Sequence, residues 1–581
     1  MPIHNSEVAD IFNQTADLLE IQGENPFRIR AYRNAARTVK NLSKSVSQLV
    51  SENEDLSKYS GIGKDLAGKI KKIVETGSFE VLEKLKKQVP EELSGLMNIS
   101  GLGAKRVAEI YKELDISSLD ELEQALDSGQ IRQLEGFGKK SEENIREELK
   151  RLRKDRSKRT ELFVAEEIAS PLLDYLKKYE GIKDIEVAGS FRRRRDTVRD
   201  LDILVTCKKG SDVMDYFTSY EDVQKVVSKG KTRSTILLRS DFQVDLRVVQ
   251  EVSFGAALVY FTGSKEHNIA IRKIGVKKDL KINEYGVFKK EKRVAGKTEA
   301  EVYKKVNLPY IVPELREDRG EIQAAENNKL PELIDVDDIK GDLHTHSEYT
   351  DGHNTIEQMA KAAEKKGYKY IAVTDHSEHV AVAGGLKPRE VMEQIKEVEK
   401  VNKKLKNFTV LKGTEVDILE DGSLDLPDKV LKELDLRVCS IHYKFNLSKE
   451  KQTERIIKAM DNPYFNILAH PTGRRLNERS EYQIDMEKIM KAAKEKGCLI
   501  ELNAHPDRLD INDIHCKMAK DIGVKVVIST DSHETGHLDY MRFGIGQARR
   551  GWLEPEDVVN TRSLSELRKL LKRSQVSFER F

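Results

Sequence analysis

The chain has 581 residues, 34% of them charged, and 101 Lys+Arg stand against 99 Asp+Glu for a formal net charge of +2. That balance excludes a uniformly basic, histone-like binder, and the length predicts several domains rather than one fold. No apolar run approaches the roughly 18 residues that cross a bilayer, and MPIHNSEVAD lacks a secretory signal's basic-then-apolar pattern, so a soluble, cytoplasmic chain with no membrane partner is expected. Cys207, Cys439, Cys498 and Cys516 are widely spaced and form no C-x-x-C pair, which argues against a disulfide framework or zinc ribbon. Eleven of the thirteen histidines lie between His344 and His537. Something in the C-terminal part needs imidazole.

In chain order, residues 1–155 read as amphipathic helices with short breaks, in two parts, 1–85 and 86–155. Within them SGIGKDLAGKI, SGLGAKRVAEI and EGFGKKSEENI repeat one framing: a glycine pair around an apolar residue, then a helix with an early lysine. Such turns expose N–H groups at a helix start, where an anion is favoured. Gly61, Gly63 and Lys64, then Gly101, Gly103 and Lys105, are the candidate DNA-backbone contacts. One copy alone reads equally as a tight helix–helix turn, and Glu135 and Ser141 weaken the third. From 156 to 252 the texture changes to a helix and short strands, an α+β domain, and a mixed stretch runs from 253 to 318. Residues 319–338 are polar, carry Pro331 and lack a clear period, as an interdomain linker would. From 339 to 575, seven β-branched runs alternate with helical segments, which predicts a parallel sheet curled into a closed or distorted β/α barrel.

In AGSFRRRRDTVRDLDIL, Asp200 and Asp202 leave the same face of a predicted strand, a geometry that can hold a divalent cation. Asp245 stands in the otherwise apolar run FQVDLRVV, where a carboxylate is costly unless compensated. Three convergent acids suit a two-magnesium site for in-line displacement at phosphate. Upstream, Gly189, Ser190 and Arg193 form a small-residue turn able to bind a triphosphate. Arg192, Arg194 and Arg195 read as a solvated basic edge.

GS-x-x-R, D-x-D, a third Asp and then YFTGS-x-x-x-N, with the paired glycine turns, resemble the family X DNA polymerases across about residues 1–318. The resemblance implies a nucleotidyltransferase palm at 156–252 and a thumb at 253–318. It implies catalysis by Asp200, Asp202 and Asp245 with two Mg²⁺, the third acid accepting the proton of the primer 3′-hydroxyl. Ser190 and Arg193 would take the β- and γ-phosphates with help from the Gly189 backbone. Tyr260, Phe261 and Gly263 would line the sugar pocket, Asn268 would reach the base edge, and Arg272 with Glu284 would lie beside the nascent pair. Gln243 and Lys265 depart from the family's best-known member, mammalian polymerase beta, which has an arginine and an acid there. The segment NPFRIRAYRNAARTV resembles the family's 5′-phosphate-gripping domain, with Arg28, Tyr32 and Lys69 as contacts. Lys69 aligns with the Schiff-base lysine of members that excise abasic sugars, but Asp65 and Arg28 replace two family lysines.

In the C-terminal part, ligand-type residues end nearly every predicted strand: His344 and His346 in HTH, Asp351 in the following loop, His376, Glu415, His442, His470, then Asp531 and His533. Parallel β/α folds build their sites at strand C-termini, and mixed imidazole and carboxylate ligation suits Mn, Zn or Fe. This set resembles the polymerase and histidinol phosphatase (PHP) domain. By that resemblance His344, His346, Glu415 and Asp531 hold a first ion, and Glu415 bridges to a second on His442 and His470. Asp351, His376 and His533 hold a third. Mn²⁺ or Zn²⁺ is expected. His353, His379 and His505 fall outside the pattern, and Arg474 and Arg475 read equally as phosphate contacts or a solvated loop.

Together these readings predict a monomeric DNA repair polymerase acting on gapped or primer–template DNA and dNTPs. Its PHP domain would be a 3′-5′ exonuclease, with abasic-site endonuclease or 3′-phosphatase activity as extensions. The alternatives are a DNA-targeted phosphoesterase with an inactive polymerase half, and a non-enzymatic DNA-end scaffold.

Overall fold

The computed structural model describes residues 5–572 apart from 41, 43–45, 60, 77–78, 87–92, 98, 100–101, 115, 135, 156–158 and 208–211. The chain divides into two units, Met1–Lys158 and Arg159–Phe581. None of the described helices is long and apolar enough to cross a membrane.

The first unit is helical because its apolar positions recur at three- and four-residue spacing, giving each helix one stripe to bury. Val8, Phe12 and Leu19 of Asn5–Ile21 share a core with Tyr32 and Val39 of Pro26–Lys40. Phe12 meets Tyr32 and Phe79 edge-on at centroid distances of 5.4 and 5.7 Å. Helices Lys64–Thr76, Ala104–Leu114 and Lys139–Asp155 each begin at a glycine-pair turn.

The second unit begins with a five-stranded mixed sheet in the order Ile182–Val187, Asp200–Cys207, Gln243–Val248, Arg233–Leu238, Val223–Lys229. Its central pair is parallel, and Asp202 stands opposite Asp245. Helix Leu162–Lys177 buries Ala165, Ala169, Leu172 and Leu176 in a cluster with Leu201, Ile203 and Val205. A three-stranded antiparallel sheet follows, Leu280–Asn283, Gly286–Lys289 and Lys292–Ala295, with helices Phe254–Thr262, Lys265–Val276 and Glu299–Lys305.

Residues 319–338, read as a linker, are packed. They contain helix Glu321–Glu326 with Glu321 and Ile322 buried, and Ile334 N donates to Leu553 O at 3.0 Å. The polarity of this stretch is spent on buried partners: His267 Nδ1 lies 2.6 Å from Glu321 Oε1, and Arg319 Nη1 lies 2.8 Å from Asp513 Oδ2.

Seven parallel strands then pair in sequence order, from Gly341–Thr345 through Tyr370–Val373, Thr409–Asp417, Leu436–Ser440, Ile467–Leu468 and Leu499–Asn503 to Val526–Ser529. The sheet curls until its first strand returns to its last. Thr345 bridges Ser532, and His346 N donates to Ser532 O at 2.7 Å. This is the nearly closed barrel the alternation predicts. Strand residues alternate between two apolar clusters, as period-2 geometry requires. Val410, Cys439 and Ile500 pack with the helices, while Leu411, Val438 and Leu499 pack with Leu567 and Leu571 of the last described helix.

Candidate active sites and nucleic-acid contacts

At the glycine turns, the middle residues Ile62, Leu102 and Phe137 are 2%, 1% and 3% exposed and anchor each turn in the core. Their N–H groups donate to Tyr59 O, Ile99 O and Leu134 O at 3.1, 2.9 and 3.1 Å. Gly63 O, Gly103 O and Gly138 O then accept the first helical bonds, from Ala67, Val107 and Glu142. Nothing lies within 4 Å of where a Cβ would stand on Gly63, Gly103 or Gly138, so each turn offers open backbone beside an exposed Lys64, Lys105 or Lys139. The third copy thus shares the geometry of the first two. Gly101 lies outside the described residues. Gly61 takes φ +88°, which a side chain would strain.

Arg28 is exposed and 3.6 Å from Glu24. Tyr32, expected as a DNA contact, is instead 1% exposed in the core, because its ring fills the space between Phe12 and Phe79. Its hydroxyl accepts from Lys69 Nζ at 3.0 Å, and Asp65 Oδ2 takes the same ammonium at 2.7 Å. Burial alone would lower the Lys69 pKa, but these two partners hold it above the ordinary lysine value.

In the five-stranded sheet, burial and then the neighbouring Asp200 charge push Asp202 up to about 6. Burial and then Asp245 raise Asp200 as well. Like charges confined together are relieved by a cation, and Gly189 leaves room for one. Its φ is +68°, and a Cβ there would come within 3.2 Å of Asp202 Oδ2. Asp245, 4% exposed, accepts hydrogen bonds from Thr235 Oγ1, from Arg233 Nη2 at 3.1 Å and from Gln243 Nε2 at 3.2 Å. Arg247 lies 4.4 Å over the Phe261 ring and 3.9 Å from Asp202 Oδ1. Sequence reasoning passed over Arg233, Thr235 and Arg247. The signal was there in strand parity, since Arg247 shares a face with Asp245 and Thr235 stands opposite it.

Of the nucleotide-side residues, Gly189 lies beside Asp202, and Phe261 meets the Arg247 guanidinium that neighbours the same acid. Ser190 is half-buried in the short helix Gly189–Arg192. Phe261 meets Tyr260 edge-on at 5.0 Å, and a Cβ on Gly263 would come within 3.1 Å of Arg193 Nη1. Asn268 Nδ2 donates to Tyr260 O at 2.7 Å, and exposed Arg272 donates to Asn268 O at 3.2 Å. Glu284 sits in the tight turn between Leu280–Asn283 and Gly286–Lys289.

The arginine run departs from the sequence reading. Arg192, Arg194 and Arg195, read as a solvated edge, are all half-buried. Arg192 pairs with Glu299 at 2.7 Å and Arg194 with Glu166. Arg193 does not stand free for a triphosphate: its side chain is 11% exposed, with Nε 3.0 Å from Glu317 Oε1 and Nη1 donating to Thr262 O. Carboxylates from distant segments converge on the loop because so much positive charge has to be neutralised on burial.

At the barrel's C-terminal rim, five imidazoles surround one carboxylate. Glu415, 1% exposed, lies 2.9 Å from His376 and His470, 3.4 Å from His344 and His442, and 3.7 Å from His346. Asp531 Oδ1 lies 3.1 Å from His346 Nε2 and 3.5 Å from His344 Nε2, and Asp351 Oδ2 lies 3.4 and 3.3 Å from His376 and His533. Burial alone would raise Glu415, but His376, His442 and His344 hold it well below the usual range. Against the penalty of burial, carboxylate neighbours raise His376 to about 10 and His442 and His533 to about 9. His346 falls to about 3, through burial and then His376 and His533.

This donor set fits metal ions. His344 Nε2 and His346 Nδ1 are buried and make no hydrogen bond, although carboxylate oxygens stand 3.4 and 3.7 Å away. Such spacing suits ligands about 2.0–2.1 Å from a common ion. Three overlapping groups bring their ligand atoms within 4.8 Å of one another: His346, Asp351, His376 and His533; His344, His346 and Asp531; and His376, Glu415 and His442. Among the described residues no such group forms from Asp200, Asp202 and Asp245, whose third member is turned to Thr235 and Arg233.

The strand without a predicted ligand, Leu499–Asn503, supplies supporting groups. Glu501 Oε1 lies 2.8 Å from His344 Nδ1, and Asn503 Nδ2 donates to Asp531 Oδ2 at 3.1 Å. Asp417 Oδ1 holds His442 Nδ1 at 2.7 Å. Such partners fix ring orientation and tautomer. Their signal was alternation, Glu415-x-Asp417 and Glu501-x-Asn503. Arg474, one of two arginines with open roles, is 9% exposed and donates to Arg508 O and Leu509 O, while Arg475 pairs with Asp507 at 2.8 Å. His505 pairs with Asp507 and His379 lies 4.3 Å from the Tyr443 ring.

Comparison with known proteins brings these sites together. Family models match residues 3–79 (helix-hairpin-helix domain), 93–151 (SAM-like helix-hairpin-helix tandem), 257–317 (DNA polymerase beta thumb) and 342–505 (PHP domain). The chain is 38% identical over 576 residues to the DNA polymerase/3′-5′ exonuclease PolX of Bacillus subtilis (strain 168), covering 98% of this chain and 100% of that protein. It is 31% identical over 249 residues to a probable phosphatase of Thermoanaerobacter sp. (strain X514), covering 40% of this chain and 94% of that one. A probable phosphatase of Caldanaerobacter subterraneus subsp. tengcongensis is 34% identical over 219 residues, 34% of this chain and 79% of that one.

Proposed function

Because the chain belongs to the PolX family of DNA polymerase/3′-5′ exonucleases, we propose that it extends DNA 3′-ends with dNTPs in its polymerase half and shortens them in its PHP barrel, filling short gaps during repair. The observation that carries the nuclease assignment is Glu415 with five imidazoles within 3.7 Å. The polymerase assignment is supported by Asp202 standing in register with Asp245 beside Gly189.

Bound divalent cations supply the positive charge that both chemistries need: two Mg²⁺ at Asp200, Asp202 and Asp245, and up to three Mn²⁺ or Zn²⁺ at His344, His346, Asp351, His376, Glu415, His442, His470, Asp531 and His533. Asp245, steadied by Thr235 and Gln243, takes the primer hydroxyl proton. Ser190 and Arg193 hold the triphosphate, which requires a phosphate oxygen to displace Glu317 from Arg193. Tyr260, Phe261 and Asn268 position the sugar and base. In the barrel, Glu501, Asp417 and Asn503 orient the ligands. The open turns at Gly63, Gly103 and Gly138 carry the DNA backbone without reading bases. The domain division is the one read from sequence, except that 319–338 is a packed connector, and the protein acts as a monomer.

A second barrel activity is favoured by the 31% identity over 94% of a probable phosphatase: removal of a 3′-phosphate from a DNA end. The test is an activity panel with Mg²⁺ and Mn²⁺ on gapped, mispaired, abasic and 3′-phosphorylated duplexes. We expect templated addition on gaps and Mn²⁺-supported loss of 3′-nucleotides, with addition abolished by Asp245→Ala. Near-normal addition by Asp245→Ala would overturn the assignment of the third acid.

A further inference from the structure

Helix Met541–Arg550 closely follows the barrel loop that carries Asp531 and His533, yet much of its polar surface is spent on the polymerase half. Arg542 Nη2 lies 2.8 Å from Glu166 Oε2, Phe543 meets Phe163 edge-on at 5.8 Å, and Arg549 Nε lies 2.7 Å from Glu314 Oε1. The helix ends in Arg550, whose side chain is 2% exposed. Its Nη1 donates to Arg193 O at 2.7 Å and to Glu317 Oε1 at 2.9 Å, and its Nη2 donates to Asp513 Oδ2 at 2.7 Å. Glu317 Oε1 also accepts from Arg193 Nε at 3.0 Å. Arg550 therefore grips Arg193 twice, through its main-chain carbonyl and through the carboxylate that holds its side chain.

From this geometry we infer that Arg550, a residue of the nuclease domain, is a positioning residue for the polymerase's nucleotide, fixing the loop Gly189–Arg193 and setting how firmly Glu317 holds Arg193. The inference rests on the reading of Ser190 and Arg193 as triphosphate ligands. The loop needs an outside brace: Gly189–Arg192 is a single four-residue turn, too short to hold its own geometry. Glu317 sits between two guanidiniums, so a dNTP phosphate that takes Arg193 leaves the carboxylate paired with Arg550. Without Arg550, Glu317 has Arg193 as its close partner, and releasing Arg193 would strand a buried charge.

The test is steady-state kinetics of the full-length protein. Arg550→Met, which keeps the apolar stem, should raise KM for dNTP roughly tenfold, the size of one charge-assisted hydrogen bond, with kcat little changed. Mn²⁺-supported degradation of 3′-ends by the same preparation should be unaltered. Arg550→Lys should recover part of the loss, since one ammonium cannot span all three acceptors. If Arg550→Met does not fold, Asp513→Asn, which loosens Arg550 and keeps a hydrogen-bonding side chain, should give a smaller rise in KM. Unchanged KM in both variants, or equal loss of addition and degradation, would overturn the proposal. Arg193→Gln separates it from its premise. If Arg193→Gln leaves KM unchanged, the triphosphate reading fails; if it raises KM while Arg550→Met does not, only the brace fails.

Discussion

Glu415 shows what one residue can organise. Its carboxylate is surrounded by imidazoles, and three of the histidines in this cluster, His376, His442 and His533, are raised to about 10, 9 and 9. Groups with raised pKa values hold their protons at pH 7 in the metal-free protein, so ions must displace them. Metal affinity should therefore climb between pH 7 and 9, with more than one proton released per protein. Calorimetry of Mn²⁺ or Zn²⁺ binding in buffers of different ionisation enthalpy measures this, and binding heats independent of buffer would contradict it. Lys69 makes the opposite point. Its ammonium, held above the ordinary value by Asp65 and Tyr32, is a poor Schiff-base nucleophile. Asp65→Asn should lower that pKa and increase borohydride trapping on an abasic duplex at pH 7. Equal trapping by parent and variant would show that Asp65 does not control the amine.

At the scale of elements, the glycine turns separate stability from binding. The sites beyond Gly63 and Gly103 are open, so Gly63→Val and Gly103→Val should leave unfolding free energy within about 1 kcal/mol of the parent. Both should weaken binding to gapped duplex, Gly63→Val also removing the preference for a 5′-phosphate at low salt. Fluorescence anisotropy across a salt series measures this, and full affinity in both variants would remove the turns from the interface. The thumb helix Glu299–Lys305 carries a pH signature. Burial alone would raise Glu299, but Arg192 and Arg316 hold it at about 2. A depressed carboxylate stabilises above its unfolded pKa near 4.5 and loses that contribution as pH falls through about 2, a contribution of about 3 kcal/mol. Glu299→Gln should thus trail the parent in denaturant unfolding at pH 7, with the gap narrowing below pH 4.5. A gap constant with pH would contradict the pairing.

These same elements show what a linear reading can reach. The barrel was legible because six of its seven strands repeat one grammar, an apolar run followed by a ligand-type residue, and chemistry collects at that end of any parallel β/α fold. The glycine turns were legible because each states its helix start locally. Arg192, Arg194 and Arg195 misled because a charge run has the same composition solvated or buried, and the partner of Arg192 lies 107 residues on. Residues 319–338 misled for the same reason, their polar groups being matched by Asp513 and Glu554 far downstream. Asp417 and Glu501 were missed because neither belongs to the ligand pattern, though Asp417 shares a strand face with Glu415 and Glu501 with Asn503.

For the whole molecule, the central claim is that one chain holds two metal-dependent sites that use different residues on the same substrate end. Asp202 and Glu415 are the centres to exchange, since each is a buried or half-buried carboxylate whose amide replacement keeps shape and removes charge. The measurement is a single assay of a gapped duplex carrying a labelled 3′-end, with Mn²⁺ and dNTPs, for parent, Asp202→Asn and Glu415→Gln. Asp202→Asn should shorten the strand without extending it, and Glu415→Gln should extend it without shortening it. Continued shortening by Glu415→Gln, or loss of both reactions in either variant, would contradict the account.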